Sequence, residues 1–162
     1  MHESPRTQFL CEVTVQLRAG APVVLGQSPW SNRRISDIVG GRFEGPRLRG
    51  RIAPSGGDWS QRGGAPGEAV RTLIDVRSLW ETEDGATIYV SYGGRLIIPP
   101  DVLAEFADPA KVDSLDPARY YFRINPLFET SARQYLWLND MVAIGSGRRT
   151  GSGVVYRLFE VL

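Results

Sequence analysis

The hydrophobic and polar positions of this chain alternate with a period of two along most of its length. Between Ala69 and Gly94, two runs rich in β-branched and aromatic residues flank Glu83-Asp84-Gly85. An Asp-Gly step between such runs is a strong hairpin signal, because Gly takes the positive φ that a tight turn needs. Alternate residues of a strand share a face. Val70, Thr72, Ile74, Val76, Ser78 and Trp80 therefore form one side of the first strand, and Arg71, Leu73, Asp75, Arg77 and Leu79 the other. The first set suits an apolar core. The second places an acid and a base two residues apart among leucines. On an outer face Asp75 and Arg77 form a solvated pair worth little. Inside a closed barrel they form a polar centre, and buried charge needs a reason.

The same period marks Phe9 to Leu17, with Phe9, Cys11, Val13, Val15 and Leu17 on one side. Gln27 to Arg34 reads as a polar loop around Trp30. Ile35 to Phe43 is strand-like, and its Gly40-Gly41 pair predicts a bulge or bend. Leu48 to Ala53 is a further strand. Pro54 to Gly67 is dense in glycine and proline and reads as a long loop whose strong side chains are Asp58 and Trp59. Asp101, Asp108-Pro109 and Asp116-Pro117 place N-cap residues ahead of short apolar stretches, which predicts one or two helical turns within residues 100–118. Arg119 to Ile124 is a strand, and Arg133 to Ile144 reads as the longest one, with Tyr135, Trp137 and Asn139 sharing a face. Gly145 to Gly151 reads as a hairpin loop, and Val154 to Val161 closes the sheet. About nine or ten strands with little helix predict an all-β fold, an antiparallel barrel or sandwich, as a single domain over residues 1–162.

Composition narrows the chemistry. Hydrophobic residues make up 42% of the 162 positions and charged residues 23%, with a formal net charge of +1. This balance gives no electrostatic case for a nucleic-acid or anionic-membrane partner. Cys11 is the single cysteine and His2 the single histidine, the latter at a terminus expected to be mobile. That removes Ser-His-Asp and Cys-His catalysis and leaves no His/Cys cluster for zinc. No run approaches the roughly 18 apolar residues of a membrane span, and the start lacks a signal-peptide layout. The expectation is a cytoplasmic protein without metal or cofactor. The doublets Arg33-Arg34 and Arg148-Arg149 read as solvated loop charge.

Several motifs then fall in a recognisable order. G-G-R-F-E-G-P-R-L-R-G (Gly40 to Gly50), G-G-D-W (Gly56 to Trp59), D-V-R (Asp75 to Arg77), E-D-G-A-T-I (Glu83 to Ile88), Y-F-R-I-N-P-L-F-E-T (Tyr121 to Thr130) and Y-L-W-L-N (Tyr135 to Asn139) resemble the DUF3237 (UPF0311) family. The resemblance runs from about Phe9 to Leu162. It implies a small single-domain antiparallel β-barrel of lipocalin-like type. Some members of that family sit beside genes for small-molecule catabolism or natural-product biosynthesis, which implies a small organic ligand, aromatic or polyketide-like.

Small barrels of about eight strands can hold one such ligand. On a functional reading, Asp75 or Asp58 is a general base tuned by burial against Arg77 or Arg123. The arginines hold a carboxylate, phenolate or enolate oxygen. Tyr135 donates a proton or orients the substrate, Trp59 and Trp137 stack on a ring, and Glu129 and Asn139 complete the ligand contacts. That set serves cofactor-independent proton transfer: an isomerase, cyclase or lyase. The rival readings are a binding or carrier barrel without chemistry, and a structural subunit that buries an aromatic face. An exposed edge strand is compatible with a homodimer. Each residue alone also has a packing explanation, and the sequence leaves these readings open.

Overall fold

In the computed structural model, which describes residues 4–162, eight strands close into an antiparallel barrel and two short strands lie beside it. His2 lies outside the described residues. In chain order the strands are β1 (Thr7–Leu17), β2 (Val23–Gln27), β3 (Asn32–Glu44), β4 (Arg49–Asp58), β5 (Gln61–Gly63), β6 (Val70–Thr82), β7 (Thr87–Ile98), β8 (Tyr121–Glu129), β9 (Ala143–Thr150) and β10 (Gly153–Val161). The sheet runs β1-β10-β9-β8-β7-β6-β4-β3, and β3 pairs back with β1, Phe43 opposite Val13, to close it. β2 pairs with β3, and β5 bridges β3 and β6.

The β6–β7 hairpin forms where the alternation places it. Gly85 takes φ +88°, and Thr82 closes the turn by accepting from the Ala86 amide at 2.8 Å. Thr72, Ile74, Val76, Ser78 and Trp80 face the interior. The register of β3 against β4 shifts between Asp37 and Gly41, where the glycine pair predicts a bulge. Short helical turns occupy part of residues 100–119, including α1 (Leu103–Ala107).

Three expectations are corrected. Residues 133–140 form a 3-10 helix, not a strand, and β9 begins only at Ala143. Asn139 decides this. Its amide donates to the carbonyls of Thr130 and Leu136, and its Oδ1 accepts from the Thr130 amide, which ties the segment into a closed loop. Residues 145–150 are strand rather than loop. Gly145 and Gly147 face inward, and a Cβ at Gly147 would stand 2.9 Å from the rings of Phe122 and Tyr156, so the missing side chains make room for those aromatics. Finally, β4 and β5 take up much of the glycine-rich stretch 54–67. Gly56, at φ +89°, lets β4 pass so close to β6 that a Cβ there would lie 2.1 Å from the Arg77 carbonyl.

The two ends of the barrel differ. One is sealed by Trp80, which stacks on Phe43 at 4.5 Å between centroids and meets Phe128 edge-on at 5.8 Å, with Leu138 of the 3-10 helix buried nearby. The other end, toward α1 and the β1–β2 connection, contains a chamber.

Candidate active site

The chamber has a volume of about 430 Å³, within the range of small-molecule sites. Its walls are mostly apolar, with Val15, Ile74, Val76, Leu96 and Phe122 from the strands and Phe106 from α1. Into this space project a few polar groups, arranged by strand register.

Ser36, Asp58, Val76 and Tyr92 lie in one row across β3, β4, β6 and β7. Asp58 is half-buried and stands at the end of β4. Its Oδ1 accepts from the Ser60 hydroxyl and, at 3.5 Å, from the Asp75 amide. Burial pushes the Asp58 carboxyl above the usual carboxylate range, the hydrogen bonds from Ser60 and the Asp75 amide oppose that shift, and the Asp75 charge adds to it. Beside it, Tyr92 and Tyr156 meet edge-to-face at 5.5 Å, and Phe122 packs against Tyr156 at 5.4 Å. Burial raises both tyrosine hydroxyls well above their ordinary values, and the Asp58 charge reinforces this. They stay protonated and can donate. A half-buried carboxylate beside two neutral phenols supplies a base and a hydrogen-bonding acid in one apolar chamber.

Toward the mouth, β5 places Arg62 opposite Thr72, and the Arg34 amide donates to the Ser60 carbonyl at 2.8 Å. Both guanidiniums line the chamber, as does Arg149. Arg149 is committed to the Gly153 carbonyl at 2.6 Å. Arg18 lies at the rim and pairs with Asp37 at 2.9 Å. Among the described residues, no group of three or more His, Cys, Asp or Glu side chains is placed to share a metal ion, and no helix is long and apolar enough to cross a membrane.

The sequence model of the family described as protein of unknown function DUF3237 matches residues 5–161. The chain belongs to this family. A UPF0311 protein of Rhodopseudomonas palustris is 32% identical over 149 residues, 92% of this chain and 93% of that protein. The crystal structure of a β-barrel-like protein from Acinetobacter baumannii matches with a TM-score of 0.79 at 36% identity, over all of both chains. The crystal structure of a protein described as an enzyme from Penicillium herquei matches with a TM-score of 0.67 at 20% identity, over 100% of this chain and 98% of that one, a likeness of fold alone.

Of the candidate catalytic and ligand-binding residues read from the sequence, Asp58 lines the chamber and the others lie elsewhere. Asp75 and Arg77 pair at 3.0 Å on the outer face of β6, each about half exposed. The lumen placement fails for a simple reason: the interior of a barrel is its core, so the apolar face of β6 takes it. Trp59 points outward beneath Arg77, whose Cζ is 5.8 Å from the ring. Arg123 and Glu129 are on the outer face of β8, Arg123 lying 5.0 Å over Tyr121. Tyr135 donates to Asp84 at 3.0 Å near the β6–β7 turn. Trp137 carries the Arg47 guanidinium on its ring at 4.1 Å, and Asn139 fastens the loop described above. Sequence reasoning passed over Ser60, Tyr92, Tyr156 and Arg62. Tyr92 and Tyr156 continue the inward alternation of β7 and β10 and were readable as lumen residues. Arg34, by contrast, is not the solvated loop charge that its doublet suggests: its Nε is buried.

Proposed function

We propose that this barrel is a cofactor-independent enzyme that moves protons on a small organic molecule, as an isomerase, cyclase or lyase, with Asp58 as the general base. The observation that carries the reading is Asp58 itself: a carboxylate with a raised pKa, held by Ser60, facing an apolar chamber beside Tyr92 and Tyr156. In the reaction we envisage, Asp58 takes a proton from a carbon next to a carbonyl. The C–H electron pair moves into the C–C bond, and the carbonyl π pair moves onto oxygen. A tyrosine hydroxyl donates a hydrogen bond to that oxygen, which lowers the cost of the enolate. Return of the proton to another atom completes an isomerisation. Attack of the enolate carbon on a neighbouring carbonyl of the same molecule, whose π pair moves onto its oxygen and takes a proton from a tyrosine hydroxyl, instead gives ring closure. Expulsion of a group on the β-carbon with its bonding pair, protonated as it leaves, gives elimination. The Penicillium herquei protein, described as an enzyme on the same fold, is in keeping with this reading.

The test is deuterium uptake at the α-carbon of enolisable aryl ketones, acetophenone and deoxybenzoin among them, followed by NMR in heavy water. The wild-type chain should accelerate exchange over buffer, and Asp58→Asn should lose about a hundredfold or more of that acceleration while keeping its fold, the usual contribution of a positioned base. Undiminished exchange in Asp58→Asn would remove Asp58 as the base, and no exchange in the wild type across the panel would leave a binding barrel without this chemistry.

A further inference from the structure

We propose that the mouth of the chamber is an oxyanion site for the carboxylate of an amphipathic organic acid, held between Arg34 and Arg62 with the Thr72 hydroxyl. This rests on the reading of the chamber as a small-molecule site and names the class of molecule it takes.

Buried polar groups in folded proteins are nearly always paired. Here the Nε of Arg34, the Nε of Arg62 and the Oγ1 of Thr72 are buried without a hydrogen-bond partner among the described residues, and all three side chains line the chamber. Thr72 is only 8% exposed. Neither arginine joins an ion pair among the described residues. The Arg62 guanidinium is held below its ordinary pKa by burial and by the Arg34 charge, so the two cations are close enough to repel. Holding two like charges together, partly out of water, costs stability unless something of opposite sign completes them. Asp58 does not do so: its hydrogen-bond partners are Ser60 and the Asp75 amide.

The register fixes how a ligand would lie. Inward-facing residues form successive rows: Arg62 with Thr72, then Arg34 with Ser60, then Asp58 with Val76, above Tyr92. Each two-residue step along a strand is about 7 Å. A molecule with an anionic end at the arginines therefore reaches Asp58 and the tyrosines with its body, against the apolar wall of Ile74, Leu96 and Phe122. Two planar guanidiniums suit the fork of a carboxylate.

The experiment uses two probes of the same shape, 2-naphthoate and its neutral isostere 2-naphthamide, titrated calorimetrically into the whole chain at neutral pH. The wild type should bind the carboxylate at least about tenfold more tightly than the amide. In the double variant Arg34→Gln/Arg62→Gln that preference should vanish through loss of naphthoate affinity, with the amide unchanged. Its melting temperature should be no lower than that of the wild type, since no protein partner is lost. If the double variant does not fold, the arginines are structural and the proposal falls. Thr72→Val tests the site with both charges in place and should weaken naphthoate about threefold and leave the amide alone. Equal affinity for the two probes, no naphthoate binding in the millimolar range, or a preference that survives the double variant would each overturn the assignment. The outcomes separate from those of the exchange assay. Carboxylate preference without deuterium exchange keeps the anion site and removes the chemistry, while exchange without the preference does the reverse.

Discussion

Replacing Trp80 with alanine tests whether the sealed end of the barrel supplies stability independently of the chamber. Trp80 is 2% exposed, stacks on Phe43, meets Phe128 edge-on and donates from its indole to the Ser78 hydroxyl at 3.1 Å. Truncating a buried tryptophan costs about 3–5 kcal/mol in lost transfer energy and residual cavity. The Ser78 hydroxyl, left buried without its partner, adds about 1 kcal/mol. The sum, about 5 kcal/mol, is a large part of the roughly 5–15 kcal/mol by which a domain is stable. At about 2–4 °C per kcal/mol for a chain of this size, the melting temperature should fall by about 10–20 °C. Urea unfolding followed by circular dichroism measures the difference. In the milder Trp80→Phe variant, naphthoate affinity should stay within about threefold of the wild type, because Tyr92 and Tyr156 lie between the plug and the ligand. A loss below about 2 kcal/mol in Trp80→Ala would mean that neighbouring side chains collapse into the space. The picture of a rigid plug would then be wrong.

Two further outcomes follow from burial. The raised Asp58 pKa means that the folded state holds this proton more tightly than the unfolded chain. Its stabilising effect is full below the ordinary carboxylate pKa and is lost as pH rises through the folded value. Asp58→Asn should therefore be more stable than the wild type at pH 8, with the gain shrinking as pH falls through that window in urea titrations; a gain independent of pH would contradict the assignment. Cys11 is buried in β1 and its thiol is pushed up to about 12. At pH 8 only about one thiol in ten thousand is ionised, so an aromatic disulfide reagent should react at the rate of unfolding, and stoichiometric labelling of the native protein within minutes would refute this.

Much of the fold is legible in the sequence because period-two alternation survives in β1, β6, β7 and β8. The Asp84-Gly85 turn and the short helical turns near residues 100–118 are equally readable, though of the capping candidates Asp116 alone caps a helix, through the Ala118 amide, while Asp101 lies inside the first turn, which follows Pro99. The site was harder for two physical reasons. The chamber wall is partly built from β4 and β5 in a glycine-rich stretch that looks like loop, which hides Ser60 and Arg62 among turn residues. Charged groups also attract attention wherever they fall. Asp75 and Arg77 stand out on a strand whose opposite face is mostly apolar core, and closure of the barrel turns that core inward. The real lumen polars, Tyr92 and Tyr156, resemble packing residues until the empty space beside them is known.

The closure of the barrel also constrains how the chain reaches its native state. β1 is held on one side by β3 and on the other by β10, the last strand. During synthesis, at roughly 5–20 residues per second, β1 can pair with β3 early and then waits on the order of ten seconds before residues 153–161 exist. For that interval it is an unpaired edge with its hydrogen-bonding groups available to any passing strand. Such a long-range pairing is slow to form even in the finished chain. The final zipper of β10 into the gap is thus the step at which refolding and aggregation compete.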